Sequence, residues 1–110
     1  MKLKPIKDKK KIEKIFELGS FVKCGSVAVK FYDFNSSPSE YGVSVPKKNF
    51  PLAVTRNKIK RRVRSCVDGL SKNSSIKNGR SFFVIINHQK IPLYDEIYTG
   101  LSSVFEKLSS

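Results

Sequence analysis

With 110 residues the chain has room for one compact domain and not for two. Its 39% hydrophobic and 11% aromatic content can bury a modest core and excludes a disordered tail, while 22 Lys and Arg against 9 Asp and Glu leave a net charge of +13 that asks for a polyanionic partner. The longest apolar run, Phe82 to Ile86, falls far short of the about 20 residues a membrane helix needs, and no apolar stretch follows the Lys-rich start, so the expectation is a protein of the cytoplasm with no membrane span.

Asp8 can cap a first helix whose apolar residues Ile12, Ile15 and Phe16 fall at helical spacing, and Gly19 is placed to end it. From Phe21 to Phe34 the alternation of Val27, Val29 and Phe31 reads as strand, interrupted at Cys24-Gly25 where a bend or hairpin would suit. Asn35 to Ser39 is turn. Tyr41 to Val45 is a second extended run, with Val43 and Val45 on one face, and Pro46 closes it. Asn49 as cap and Pro51 in the first turn place the start of a second helix near Pro51, and its end is expected near Asp68-Gly69. Ile59, Val63, Cys66, Val67 and Leu70 repeat there with helical period. After a polar loop, Phe82 to Ile86 is apolar on both faces, as in a central strand covered on each side. Pro92 precedes a last helix carrying Ile97, Tyr98, Leu101, Val104, Phe105 and Leu108.

The charge is not spread evenly. Met1 to Lys14 carries seven Lys against Asp8 and Glu13, and Lys47 to Arg64 carries eight cations with no acid, while the remainder balances. Clustering of this kind is an electrostatic footprint rather than a solvated surface. On a helical wheel with Ile59 at zero, the apolar stripe spans about 100°, and Asn57, Lys60, Arg61 and Arg64 fall together beside it at roughly 100–200°. Lys58 and Arg62 lie on the other flank, and Arg56 lies near the stripe, where its fork can brace backbone. Arginine meets phosphate through paired hydrogen bonds, so this face is assigned to phosphate; the residues alone do not choose between DNA and RNA.

Catalytic chemistry is harder to find. Phosphodiester hydrolysis normally uses paired carboxylates on a divalent metal, but Asp95 and Glu96 are adjacent and diverge by about 100° on a helix, where they suit the helix dipole instead. His88 has no visible nucleophile or orienting acid and reads as a loop histidine. Cys24, Cys66 and His88 are too few for a four-ligand zinc site, and both thiols are expected in or near the core. No catalytic or metal-ligating residue is therefore assigned.

Tyr41-Gly42-Val43-Ser44-Val45-Pro46-Lys47-Lys48, followed by Ala53-Val54-Thr55-Arg56-Asn57-Lys58-Ile59-Lys60-Arg61-Arg62-Val63-Arg64, resembles the bacterial ribonuclease P protein subunit. That family's pattern is a strand ending in two lysines, a short link, and a helix opening on an Arg-Asn-Arg run. This chain departs from it at Lys58, which replaces the run's second arginine; at Ile12, where an aromatic is usual; and in a link, Asn49 to Leu52, that is one residue longer and lacks glycine. Ser81 stands for the usual acid before the late strand, and Asn87 or His88 for the usual basic residue after it.

The resemblance implies an α+β fold over residues 1–110: a two-layer α/β sandwich like the second domain of ribosomal protein S5, in the order α-β-β-β-α-β-α with a left-handed βαβ crossover. It implies a single domain, with residues 1–7 as a flexible basic arm. It further implies a ribonucleoprotein endoribonuclease in which an RNA subunit holds the Mg²⁺ with the substrate and cleaves the 5′ leader from precursor tRNA, one protein joining one RNA. Lys47, Lys48, Arg56, Asn57, Lys58, Lys60, Arg61, Arg62 and Arg64 would then bind RNA. Phe16, Lys30 and Tyr32, with Asn57, Lys60, Arg61 and Arg64, would line a cleft for the single-stranded leader, where an aromatic can stack any base. A plain core position for Phe16 is the alternative, and a structural ribosomal or general RNA-binding protein is the rival reading of the whole chain.

Overall fold

The computed structural model describes residues 4–25, 27–34, 39–72, 79–86 and 90–108. Its first helix, α1 (Lys9–Leu18), starts where the sequence places it: the Asp8 side chain accepts from the Lys10 amide at 2.9 Å, satisfying one of the free donors of the first turn. Gly19 ends the helix for a different reason from the one expected. Its φ of −68° is open to any residue, but a Cβ there would lie 2.2 Å from the Ile15 carbonyl oxygen and 2.8 Å from that of Phe31. Glycine is required by lack of space, because the chain turns from helix to strand against its own backbone.

Strands β2 (Ser20–Cys24) and β3 (Val27–Asp33) pair antiparallel as a hairpin, with Gly25 at φ +62°, a conformation side chains rarely adopt. Of the expected turn from Asn35 to Ser39, residues 35–38 lie outside the described residues. Strand β4 (Glu40–Ser44) leads into helix α2 (Ala53–Ser71), strand β5 (Arg80–Ile86) and helix α3 (Tyr94–Leu108).

Three boundaries differ from the sequence reading, and one is the end of α2, which runs past the expected Asp68-Gly69 to Ser71. Helix α2 begins two residues after Pro51, because the backbone N–H groups of Asn49 and Phe50 donate hydrogen bonds to the Pro46 carbonyl at 3.2 and 3.0 Å and hold a turn there. Leu52 is the N-cap and has no side-chain cap. Residues 4–6, expected within a flexible arm, are docked: Lys4 and Pro5 form a short edge strand, β1 (Lys4–Pro5), parallel to β4, and the buried Ile6 donates its amide to the Tyr41 carbonyl at 2.8 Å. One apolar residue after a Lys-Pro pair is too short a pattern to stand out from a charged tail, yet a sheet edge needs cover.

The five strands run in the order β1-β4-β5-β3-β2. Strand β5 is central, parallel to β4 and antiparallel to β3, and α2 is the crossover joining the adjacent parallel strands β4 and β5. Strand alternation divides the residues between two faces. Val29, Phe31, Tyr41, Val43, Phe82 and Val84 share one face, where Ile59, Val63, Cys66 and Val67 of α2 and Ile97, Leu101, Val104 and Phe105 of α3 close the main core. Each such apolar side chain, once fully buried, contributes about 1.5–3 kcal/mol. The other face carries Lys30, Gly42 and Phe83, and α1 lies over it with Ile15 fully buried. Placing α1 on that face leaves part of it open beside the helix.

Candidate nucleic-acid interface

Helix α2 buries Ile59, Val63, Cys66, Val67 and Leu70, so the residues between them are turned outward. Asn57, Lys58, Arg61 and Arg64 are exposed and Lys60 is half-buried, and among the described residues no ion pair joins any α2 cation to an acid. Like charges this close cost a few tenths of a kcal/mol per pair, and nothing within the described protein offsets that cost.

The arginines divide by task. Arg56 donates from one guanidinium nitrogen to the carbonyls of Phe50 and Pro51, both at 2.9 Å, fixing the link ahead of the helix. Arg62 donates to the Pro92 carbonyl at 3.0 Å and ties α2 to the segment before α3. Its bracing role is absent from the sequence reading, since Pro92 is thirty residues away. Arg61 and Arg64 stand about 60° apart on the outward side of α2 and border different concavities. Arg61 lines a concavity with Lys58, Arg62, Ser65 and Tyr94, whereas Arg64 lines one with Ile6, Tyr41, Gly42, Val43 and Phe83. The outward face of α2 is thus bordered by a concavity on each side. Burial pushes the Tyr41 phenol above its ordinary pKa and Asp68 adds to this, while the nearby Arg64 pulls the other way.

The open side of the sheet begins at that second concavity. Phe16 is 37% exposed, and its ring centroid lies 5.0 Å from that of Phe83. Ile15, not Phe16, is the core residue of α1. Lys30 stands across the pair, its Nζ 5.7 Å from the Phe16 centroid and donating to the Phe16 carbonyl at 2.9 Å. A cation over an aromatic face beside a second ring suits a base with its phosphate. Phe83 also borders Arg64, so Phe16, Lys30 and Arg64 belong to one surface. Tyr32 shares the strand face of Lys30 but packs edge-on against Phe34 at 4.9 Å, beneath Lys11, which is paired with Glu40 at 3.0 Å.

Phe83 and Gly42 are absent from the sequence reading of this cleft. A Cβ at Gly42 would lie 2.4 Å from the Phe83 ring, so the glycine makes room for it. A lone glycine inside a strand is the available signal. Lys47 and Lys48 are exposed in the turn after β4. His88 lies outside the described residues. Among the described residues no group of three or more His, Cys, Asp or Glu could hold a metal ion, and no helix is long and apolar enough to cross a membrane.

A mixed sheet with an acid-free cationic stretch of helix beside an exposed aromatic cleft defines a small α+β nucleic-acid-binding protein. The family model described as Ribonuclease P matches residues 1–109, and the chain belongs to that family. The RNase P protein of Staphylococcus aureus is 26% identical, over 99% of this chain and all of that one, with a TM-score of 0.78. That of Thermotoga maritima, at 20% identity over 97% of this chain and 99% of its own, has a TM-score of 0.79 and bears on the fold alone. No curated protein matches by sequence. The role that goes with the family is the processing of the 5′ leader of precursor tRNA by a ribonucleoprotein.

Proposed function

We propose that this chain acts as a single RNA-binding domain, one copy per catalytic RNA, in the cytoplasm, and that the RNA subunit rather than the protein cuts the phosphodiester bond. Mg²⁺ is held in this reading by that RNA and the substrate, since the described residues offer no cluster of acids for it. The α2 cations, with Lys47 and Lys48, bind the catalytic RNA. The cleft of Phe16, Lys30 and Tyr32, bordered by Asn57, Lys60, Arg61 and Arg64 of α2, takes the single-stranded leader. The observation that carries this reading is the set of α2 cations with no acidic partner among the described residues, continuing through Arg64 into the Phe16–Phe83 pair.

Stacking on an aromatic is tolerant of base identity, as a leader that varies between tRNAs demands. Reconstitution tests the proposal. The protein alone leaves precursor tRNA intact, and added to its cognate RNA at physiological Mg²⁺ it raises the cleavage rate. Cleavage by the protein without RNA, or an RNA activity unmoved by folded protein, would overturn it.

A further inference from the structure

The groove between α2 and α3 lies on the opposite flank of α2 from the leader cleft. There α2 presents Ser65 and Gly69, small residues one turn apart, and α3 presents Tyr94 and Tyr98, also one turn apart. Ser65 and Tyr94 line the same concavity, and a Cβ at Gly69 would sit 3.9 Å from Tyr98 Cε2. The two phenol rings are nearly parallel, 23° between planes and 6.2 Å between centroids, and 42% and 37% exposed. They are not core residues: Ile97 and Leu101 fill that role on α3.

The platform is held in place. The Tyr94 carbonyl faces the buried Cys66 thiol at 3.9 Å, and Arg62 is fixed to Pro92 at the rim. Lys58 and Arg61 complete the rim and have no acidic partner among the described residues. Asp95 and Glu96 line a separate concavity with Cys24 and Gly100, so the acids of the first turn of α3 are turned toward β2. Two flat rings beside exposed cations, over a floor without bulky side chains, match a planar group carrying a negative tail. An acidic peptide would satisfy the cations and leave the rings bare, whereas a nucleotide satisfies both.

We propose that Tyr94 and Tyr98 stack an unpaired nucleotide of the catalytic RNA, whose phosphate is held by Lys58 and Arg61, so that α2 meets RNA on both flanks. This rests on the RNA-binding reading above. The chain has no tryptophan, so Tyr94→Trp supplies a single indole reporter. Titrated with the cognate RNA transcript, its emission falls with the same midpoint as RNA binding measured by filter retention. Tyr94→Ala with Tyr98→Ala weakens binding roughly 5- to 150-fold, the range for loss of a stacked base, while Phe at both positions stays within about twofold of the parent. Circular dichroism establishes that each variant is folded. Indole emission unmoved at saturating RNA, or a double Ala variant that binds like the parent while Arg61→Ala and Arg64→Ala bind weakly, would overturn the platform and leave the RNA-binding reading intact. Full affinity in all of these variants would overturn both.

Discussion

Gly19 and Gly42 are both crowded, but by atoms of different kinds, and the difference sets the outcome of the same substitution. At Gly19 an added methyl meets two backbone carbonyls that cannot move without unwinding α1 or shifting β3. Gly19→Ala is expected to cost about 2–3 kcal/mol, at the upper end of overpacking, read as a lower urea midpoint. At Gly42 the methyl meets the end of the half-buried Phe83 ring, which can swing aside. Gly42→Ala should therefore cost no more than about 1 kcal/mol yet weaken leader binding, because the swing breaks the contact with Phe16. Equal loss of stability at both positions would show that the Phe83 ring is as immobile as backbone. Two buried protons supply a pH test. Burial raises both the Cys66 thiol above its usual 9.0 and the Tyr41 phenol above its usual 10.0. The native state holds these protons more tightly than the unfolded chain, so their contribution is intact below the unfolded values and is lost as pH climbs through the raised ones. Urea midpoints are expected to hold to about pH 8.5 and fall above it, with a shallower fall in Tyr41→Phe. A midpoint rising with alkali would contradict the burial of both groups.

Helix α2 performs two kinds of work, and substitutions along it separate them. Arg61→Ala and Arg64→Ala remove phosphate contacts and are expected to flatten the log-affinity against log-salt slope by about 0.7 each, the value for one contact to single-stranded RNA, while Lys72→Ala, beyond the helix end, leaves it unchanged. Arg62→Ala has a further consequence. Losing the bond to Pro92 removes a charge-assisted tether between α2 and α3, so about 1–2 kcal/mol of stability should go with it, visible in thermal melts without RNA. If Arg62→Ala and Arg61→Ala melt together, the tether contributes nothing. The helical period made the buried stripe of α2 readable from Ile59 to Leu70, and the capping chemistry of Asp8 fixed the start of α1. What periodicity could not give is partnership between distant segments. Arg62 with Pro92, Ile6 with Tyr41 and Phe83 with Phe16 are each set by tertiary packing, which no local pattern encodes. The α2 start was misplaced for a related reason: Asn49 and Pro51 have the chemistry of a helix opening, but the Pro46 carbonyl claims the Asn49 and Phe50 amides for a turn.

For the molecule as a whole, the net charge of +13 on 110 residues sets folding against function. The α2 cations follow one another along one helix without acidic partners among the described residues, so in dilute buffer they repel, and folding brings them closer than the unfolded chain does. Added salt screens that repulsion over a Debye length of about 10 Å at 0.1 M. The melting temperature of the free protein should therefore rise with salt, over the same range in which RNA affinity falls. Arg61→Ala should move both quantities in the same sense as added salt. Relief of a few tenths of a kcal/mol of repulsion corresponds to a melting temperature raised by about 1–2 °C at low salt, while the RNA complex weakens. The two effects share one cause, so the gain in melting temperature should vanish in high salt together with most of the electrostatic binding. A melting temperature that falls as salt is added would mean that ion pairs within the fold, such as Lys11 with Glu40 and Arg80 with Asp33, outweigh repulsion along the helix.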